Sequence, residues 1–101
     1  MKNPLTLQQH TEKDCPIEKL VRVISDAWTI LILRDIFTGP KRFCELEKSL
    51  TGISTRTLTL KLQKLVEEGV LDHNEHYYSI SEKGSKLRPV IAEIEKVGKK
   101  F

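Results

Sequence analysis

Apolar residues recur at helical spacing through the first half of the chain and predict three helices. The first begins at Cys15-Pro16, since proline suits the first helical position. The second runs from Ala27 to about Thr38 and is apolar nearly all round, which is typical of the buried centre of a domain. The third runs from about Arg42 to Leu50, and its inward-facing residues are Phe43, Leu46 and Leu50.

The second half begins with a helix over about residues 54–68 and continues into a hairpin. Ser54 is a good N-cap for this helix. The apolar positions on its inner face are Leu58, Leu62, Leu65 and Val66. Aromatic and branched residues then flank a polar turn at Asn74-Glu75, which predicts a β-hairpin from Leu71 to Ile80. This order predicts a mainly α fold with a small β-hairpin wing, the winged helix-turn-helix, whose second helix fits the major groove of DNA.

The predicted organisation has three parts. Residues 1–14 are polar with little periodicity and are interpreted as a flexible arm, and residues 15–83 form the winged helix-turn-helix DNA-binding domain. Residues 84–101 form a C-terminal helix, with Pro89 in its first turn. The stripe along this helix is too apolar for an exposed tail, and its members are Leu87, Val90, Ile91, Ile94 and Val97.

The leucine face of residues 54–68 fixes the opposite face as the one that reads DNA, because a helix advances about 100° per residue. Arg56 can pair bidentately with guanine, and Gln63 can do so with adenine. Leu60 is either a contact to a thymine methyl group or a peripheral packing residue, and both interpretations stay open. The candidate DNA contacts are Lys41, Arg42, Ser54, Thr55, Arg56, Thr57, Thr59, Leu60, Lys61, Gln63 and Lys64.

Positive charge is concentrated on the same segment. Residues 41–66 hold six basic and two acidic residues, a net charge of +4, whereas the whole chain carries +3, so the remainder sums to −1. Because excess positive charge suits a phosphate backbone, we assign four residues to phosphates. They are Lys41, Arg42, Lys61 and Lys64. The alternative is a solvated helix face with an excess of lysine.

The predicted wing offers little charge to DNA. Its tip is His73-Asn74-Glu75-His76, which contains neither Arg nor Lys. His73, Asn74 and His76 are therefore candidates for weak wing contacts only. The alternative is that both histidines are plain exposed turn residues.

Several classes of protein are disfavoured by the sequence. The most apolar run, residues 27–33, is far too short to cross a bilayer, so we expect a cytoplasmic protein with no membrane partner and with reduced cysteines. The chain has no phosphate-cradling glycine loop and no Ser-His-Asp spacing, which disfavours an enzyme. His10, Cys15, His73 and His76 form no recognised metal-binding set, so we expect neither a metal nor a cofactor.

The chain resembles the HxlR-type (MarR-like) winged helix-turn-helix transcription regulators from Cys15 to about Gly98. The resemblance is carried by Cys15-Pro16, Trp28-Thr29, Ile32-Leu33, Gly39, Arg42-Phe43, Glu45-Leu46, Gly52-Ile53-Ser54, Leu58-Thr59, Leu62, Leu65, Gly69, Gly84, Leu87, Pro89 and Val90. It implies a homodimer built by the N- and C-terminal helices, with two winged domains on a palindromic double-stranded operator. The chain departs from the family in its shorter hairpin and in Val97, where members commonly have tryptophan.

The resemblance also marks Cys15 as a candidate redox-sensing thiol, with the effector unknown. The start of a helix favours a reactive thiol, as do the nearby Lys13 and Lys19, whereas Asp14 and Glu18 act the other way. The alternative is a small, half-buried structural cysteine. Cys44, beside the inward-facing Phe43, is expected to be a packing residue.

The sequence leaves two functional classes open. The first is a dimeric, sequence-specific DNA-binding regulator with base contacts from Arg56, Thr57, Leu60 and Gln63. The second is a winged-helix protein-interaction module without DNA binding, which the short wing without Arg or Lys and the exposed position of Leu60 favour slightly.

Overall fold

The computed structural model describes residues 15–24 and 26–101, so the arm predicted for residues 1–14 lies outside the described residues. Within the described part, five α-helices and one hairpin follow one another as the sequence predicts. They are α1 (Pro16–Val23), α2 (Ala27–Ile36), α3 (Phe43–Ser49), α4 (Thr55–Glu67), β1 (Leu71–Asn74), β2 (Tyr77–Ile80) and α5 (Arg88–Gly98). A short 3-10 helix, Gly84–Leu87, leads into α5. The predicted mainly α fold with a hairpin wing is confirmed.

Three of the helices begin at polar groups that satisfy free backbone N–H groups. The Asp26 carboxylate accepts the backbone N–H of Thr29 at 2.9 Å and so starts α2. The Glu45 carboxylate accepts the backbone N–H of Arg42 at 2.8 Å at the start of α3. The predicted cap of α4 is also present, since the Ser54 hydroxyl accepts the backbone N–H of Thr57 at 3.0 Å.

The core lies where α2, α3 and α4 meet the hairpin. Its buried aliphatic residues are Ile32, Leu33, Ile36, Leu46, Leu50, Leu58, Leu62, Leu65, Val70, Leu71 and Leu87. The predicted inner faces of α3 and α4 are confirmed by the burial of their leucines. Because α2 contributes three of these side chains, it is central, as its sequence predicts.

Three boundaries differ from the sequence prediction. The C-terminal helix predicted over residues 84–101 is a 3-10 helix at Gly84–Leu87 followed by α5 at Arg88–Gly98. Helix α2 ends at Ile36, two residues before the predicted end. The hairpin turn lies at Glu75-His76, one residue later than predicted, because Leu71 pairs with Ile80 and Asn74 with Tyr77. This register places Leu71 opposite Ile80, at the end of the hairpin nearest the core.

The 3-10 helix packs closely against the start of the hairpin. A Cβ atom added to Gly84 would lie 2.1 Å from the Val70 carbonyl oxygen, so only glycine fits there. The Gly84 N–H donates to the Ser81 hydroxyl at 2.9 Å. Helix α5 then begins with Pro89 in its first turn, as predicted.

Candidate nucleic-acid interface

Helix α4 presents to solvent the face that its leucine spacing predicts. Leu58, Leu62 and Leu65 are at most 1% exposed and hold the helix to the core. The exposed residues on the opposite face are Arg56, Thr59, Leu60, Gln63 and Glu67. Leu60 is 51% exposed, so it has no part in the core. The exposed face therefore combines a guanidinium, a hydroxyl, an aliphatic group, an amide and a carboxylate, which are all groups that can read base edges in the major groove.

The hydroxyl groups at the start of α4 are engaged within the protein. The Ser54 hydroxyl donates to the Thr57 hydroxyl at 3.0 Å while it caps the helix. The Thr55 hydroxyl donates to a Glu47 carboxylate oxygen of α3 at 2.7 Å. These three candidate DNA-contacting residues thus hold the start of the helix, whereas Thr59 keeps an exposed side chain.

Two of the lysines assigned to phosphates lie on the side of α4 that faces α1 and α2. The Lys61 ammonium forms an ion pair with the Asp26 carboxylate. The Lys64 ammonium donates to the Arg22 carbonyl oxygen at 3.0 Å. The assignment to phosphates considered only charge, whereas the fold brings internal acceptors to both ammonium groups. Sequence reasoning missed these contacts because their partners lie 35 and 42 residues away.

The environment of Asp26 combines two opposing effects. Desolvation by burial raises its pKa, but the hydrogen bonds from Lys61 and from the backbone N–H of Thr29 outweigh it and leave the pKa lowered from its ordinary value. The carboxylate therefore stays charged and paired with Lys61 at neutral pH.

The wing gains basic residues from outside the hairpin. Lys41 pairs with Tyr78 of β2, with its N–H donating to the Tyr78 carbonyl at 2.9 Å and its carbonyl accepting the Tyr78 N–H at 2.8 Å. The Arg42 guanidinium lies 5.6 Å from the centre of the exposed Tyr77 ring. A one-residue pairing has no periodicity, so no pattern in the sequence predicts it.

The tip of the wing carries neither Arg nor Lys, as predicted. His73 and Asn74 lie in β1, and His76 lies in the turn. The His73 ring packs against the Tyr78 ring, with centroids 3.9 Å apart. Burial raises the pKa of the Tyr78 phenol. His73 is thus part of an aromatic contact within the wing and not a plain turn residue.

The terminal helices expose apolar side chains. Neither α1 nor α5 has a buried residue. Ile17 of α1 is 73% exposed, and Ile94 and Val97 of α5 are 43% and 44% exposed. Phe101, beyond α5, is fully exposed and lines an open apolar groove with Val90, Ile94 and Val97. Large exposed apolar patches are typical of surfaces that contact another molecule.

The profile of the HxlR-like helix-turn-helix family matches residues 23–101. The chain belongs to that family. It is an HxlR-type helix-turn-helix transcriptional regulator, in agreement with the predicted function class and with the prediction that it is not an enzyme.

Relatives and solved structures agree with this membership. A Synechocystis protein named as an uncharacterised HTH-type transcriptional regulator is 34% identical over 91 residues, which cover 83% of this chain and 67% of the relative. The quinone-bound structure of YodB from B. subtilis is 28% identical with a TM-score of 0.77, covering 86% of this chain and 100% of YodB. The redox regulator HypR in its reduced form is 27% identical with a TM-score of 0.79, covering 85% of this chain and 92% of HypR.

The two cysteines of this HxlR-type chain lie in different settings. Cys15 is half-buried at the N-cap of α1 and its side chain makes no capping hydrogen bond. Cys44 is exposed, so the prediction that it packs inward is wrong. It lies one residue after the half-buried Phe43, on the outer side of α3 beside a groove of about 350 Å³ that faces the wing.

The structure shows neither a metal site nor a membrane-spanning helix within residues 15–24 and 26–101. No three His, Cys, Asp or Glu side chains of this part of the chain lie together as a metal ion would require. None of its helices is both long enough and apolar enough to span a bilayer.

Proposed function

We propose that this HxlR-type regulator binds double-stranded DNA as a homodimer, with α4 of each subunit in the major groove of one half of a palindromic operator. The observation that carries the proposal is the polar face of α4, which stays exposed while the leucines of the same helix are buried. A helix anchored in this way can enter a groove without losing its packing.

Base recognition is assigned to the exposed face of α4. Arg56 lies in the first turn, where recognition helices reach furthest into the groove, and it suits guanine. Gln63 suits adenine, and Thr59 and Leu60 suit the methyl group of thymine. Ser54, Thr55 and Thr57 fix the start of the helix through their hydroxyl groups.

Phosphate contacts are assigned to Lys41 and Arg42. The pairing of Lys41 with β2 and the position of Arg42 over Tyr77 place both residues beside the wing. Their charges would lie along the DNA backbone when α4 is in the groove. His73, Asn74 and His76 remain candidates for weak contacts of the wing with DNA.

Dimerisation is assigned to α1 and α5. Their exposed apolar side chains need a partner, and a second copy supplies the same surface about a two-fold axis. A two-fold dimer matches the symmetry of a palindrome. On this proposal residues 15–83 are the DNA-binding domain, residues 84–101 the dimerisation segment, and the location is cytoplasmic.

A thiol response is assigned to Cys15. HypR is described as a redox regulator, and YodB was solved with a quinone bound. Cys15 at the N-cap of α1 is the candidate in this chain. If operator affinity were the same before and after mild oxidation of the wild-type protein, this assignment would be excluded.

The DNA assignment is tested with Arg56→Ala. We expect the variant to lose about 1–3 kcal/mol of binding free energy for the cognate duplex and to accept other base pairs at the position that Arg56 reads. Lys41→Ala is the matched control, because removal of a phosphate-binding charge weakens binding to all duplexes alike. Unchanged affinity and base preference in Arg56→Ala would overturn the assignment of α4.

A further inference from the structure

One flank of α4 lies between its buried face and its exposed face. Thr57, Lys61, Lys64 and Glu68 follow one another at steps of four, three and four, and all four are half-buried. Such spacing places them in one row along the helix. The two lysines of this row are therefore not on the face that the proposed function gives to the DNA bases.

The two lysines contact the end of one neighbouring helix and the start of the next. Lys64 donates to the carbonyl oxygen of Arg22, in the last turn of α1, and Lys61 pairs with Asp26, at the start of α2. One contact uses a backbone carbonyl and the other a side chain. Together they join the middle of α4 to the junction of α1 and α2.

The acceptor for Lys61 is already held in place. The Asp26 carboxylate caps α2 through the backbone N–H of Thr29 at 2.9 Å. The side chains of Lys61 and Asp26 are 27% and 35% exposed, so solvent screens their attraction less than it screens a fully exposed pair. A fixed, half-buried anchor holds a helix better than two mobile surface charges do.

A second contact restrains the start of α4 from another direction. The Thr55 hydroxyl donates to Glu47 of α3 at 2.7 Å. The first turn of α4 is thus joined to α3, while its middle is joined to the α1–α2 junction. Two such restraints limit both sliding and rotation of the exposed face relative to the rest of the domain.

We infer that Lys61 and Lys64 are positioning residues, which orient α4 against the α1–α2 junction and affect operator affinity through that orientation rather than by contacting phosphates. The inference rests on the proposed function for its effect on DNA. The alternative explanation is that both lysines leave their internal partners and bind phosphates when DNA is present.

Asp26→Asn separates the two explanations by the sign of its effect. Asparagine is also a good N-cap, so the variant removes the charge of Asp26 and keeps the start of α2. If Lys61 positions α4, loss of its partner weakens binding to the cognate duplex. If Lys61 binds phosphate, the change frees the lysine and removes a negative charge, so binding tightens.

The experiment measures affinity against salt concentration for four variants and wild-type protein. The probe is the duplex enriched by wild-type protein from a random library. We expect Asp26→Asn, Lys61→Gln and Lys64→Gln each to weaken binding about threefold to fivefold, with an unchanged slope of log K against log[salt]. Lys41→Gln, the matched control, should lower the magnitude of that slope by about 0.9 for each phosphate that Lys41 neutralises in the wild type. Tightened or unchanged binding in Asp26→Asn, or a lowered slope in Lys61→Gln, would overturn the inference.

Amide hydrogen exchange of the free protein gives a readout that needs no DNA. We expect exchange across residues 55–67 to be about threefold faster in Lys61→Gln and Lys64→Gln than in wild type. Glu82→Gln, a change of an exposed residue outside these contacts, is the control and should leave α4 unchanged. Unchanged α4 exchange in both lysine variants would overturn the inference that these lysines hold α4 in place. A wild-type protein with no salt-dependent DNA binding would instead overturn the proposed function. The exchange result would still decide whether Lys61 and Lys64 hold α4 against the α1–α2 junction.

Discussion

The exposed faces of helices α4 and α5 differ in polarity. Helix α4 buries three leucines and exposes a mainly polar face. Helix α5 has no fully buried residue: Val90 and Ile91 pack only partly against the core, and Ile94 and Val97 are exposed. A polar face on a fixed helix is stable in water and is suited to a charged partner. An apolar face in water is stabilised when another apolar surface covers it. On the proposed function, one chain carries two contact surfaces, one for DNA and one for a second copy of itself.

The largest effect is expected from the buried side of α4. Leu62→Ala leaves a cavity in the core and should lower the free energy of unfolding by about 2–5 kcal/mol. Leu60→Ala, two residues earlier and exposed, should change it by no more than about 0.5 kcal/mol. Urea denaturation measures both values. Equal losses in the two variants would contradict the division of α4 into a core face and a DNA face.

A second effect is expected at the apolar surface of α5. Ile94→Glu places a charge in each half of the proposed dimer contact and should weaken dimerisation by about 2 kcal/mol or more, since a buried unpaired charge is costly. Ala92→Glu adds the same charge outside the apolar groove and serves as the control. Sedimentation equilibrium measures the dissociation constant. Dimerisation that survives Ile94→Glu unchanged would remove α5 from the interface.

The smallest effect concerns the ion pair between Lys61 and Asp26, which joins α4 to the α1–α2 junction. Because the pKa of Asp26 is lowered in the folded protein, its ion pair stabilises the fold above the ordinary pKa of 3.8, and this stability is lost as the pH falls through the folded-state value. Asp26→Asn should therefore be about 0.5–1 kcal/mol less stable than wild type at pH 6. The difference should narrow progressively as the pH falls below 3.8. Thermal unfolding from pH 6 to pH 2 measures it, and a constant difference would contradict the role of the charge.

The two faces of α4 were predictable because both follow from one spacing. Once Leu58, Leu62 and Leu65 are assigned to the core, helical geometry places Arg56 and Gln63 on the opposite side. The same rule placed the apolar stripe of α5. These predictions needed only contacts that are local in sequence.

The flank of α4 and the base of the wing were not predictable in this way. The partners of Lys61 and Lys64 depend on how α1 and α2 pack against α4, and no local pattern encodes that packing. Charge alone therefore assigned these lysines to phosphates. Likewise, the pairing of Lys41 with Tyr78 involves a single residue, which leaves no alternation to detect.

Selection of bound fragments from random DNA by the purified wild-type protein tests the central claim most directly. The proposal predicts an enriched palindrome whose half-sites lie about one helical turn apart, because each subunit presents one α4 to the major groove. Enrichment of no sequence, or of a single unrepeated half-site, would contradict DNA reading by paired α4 helices.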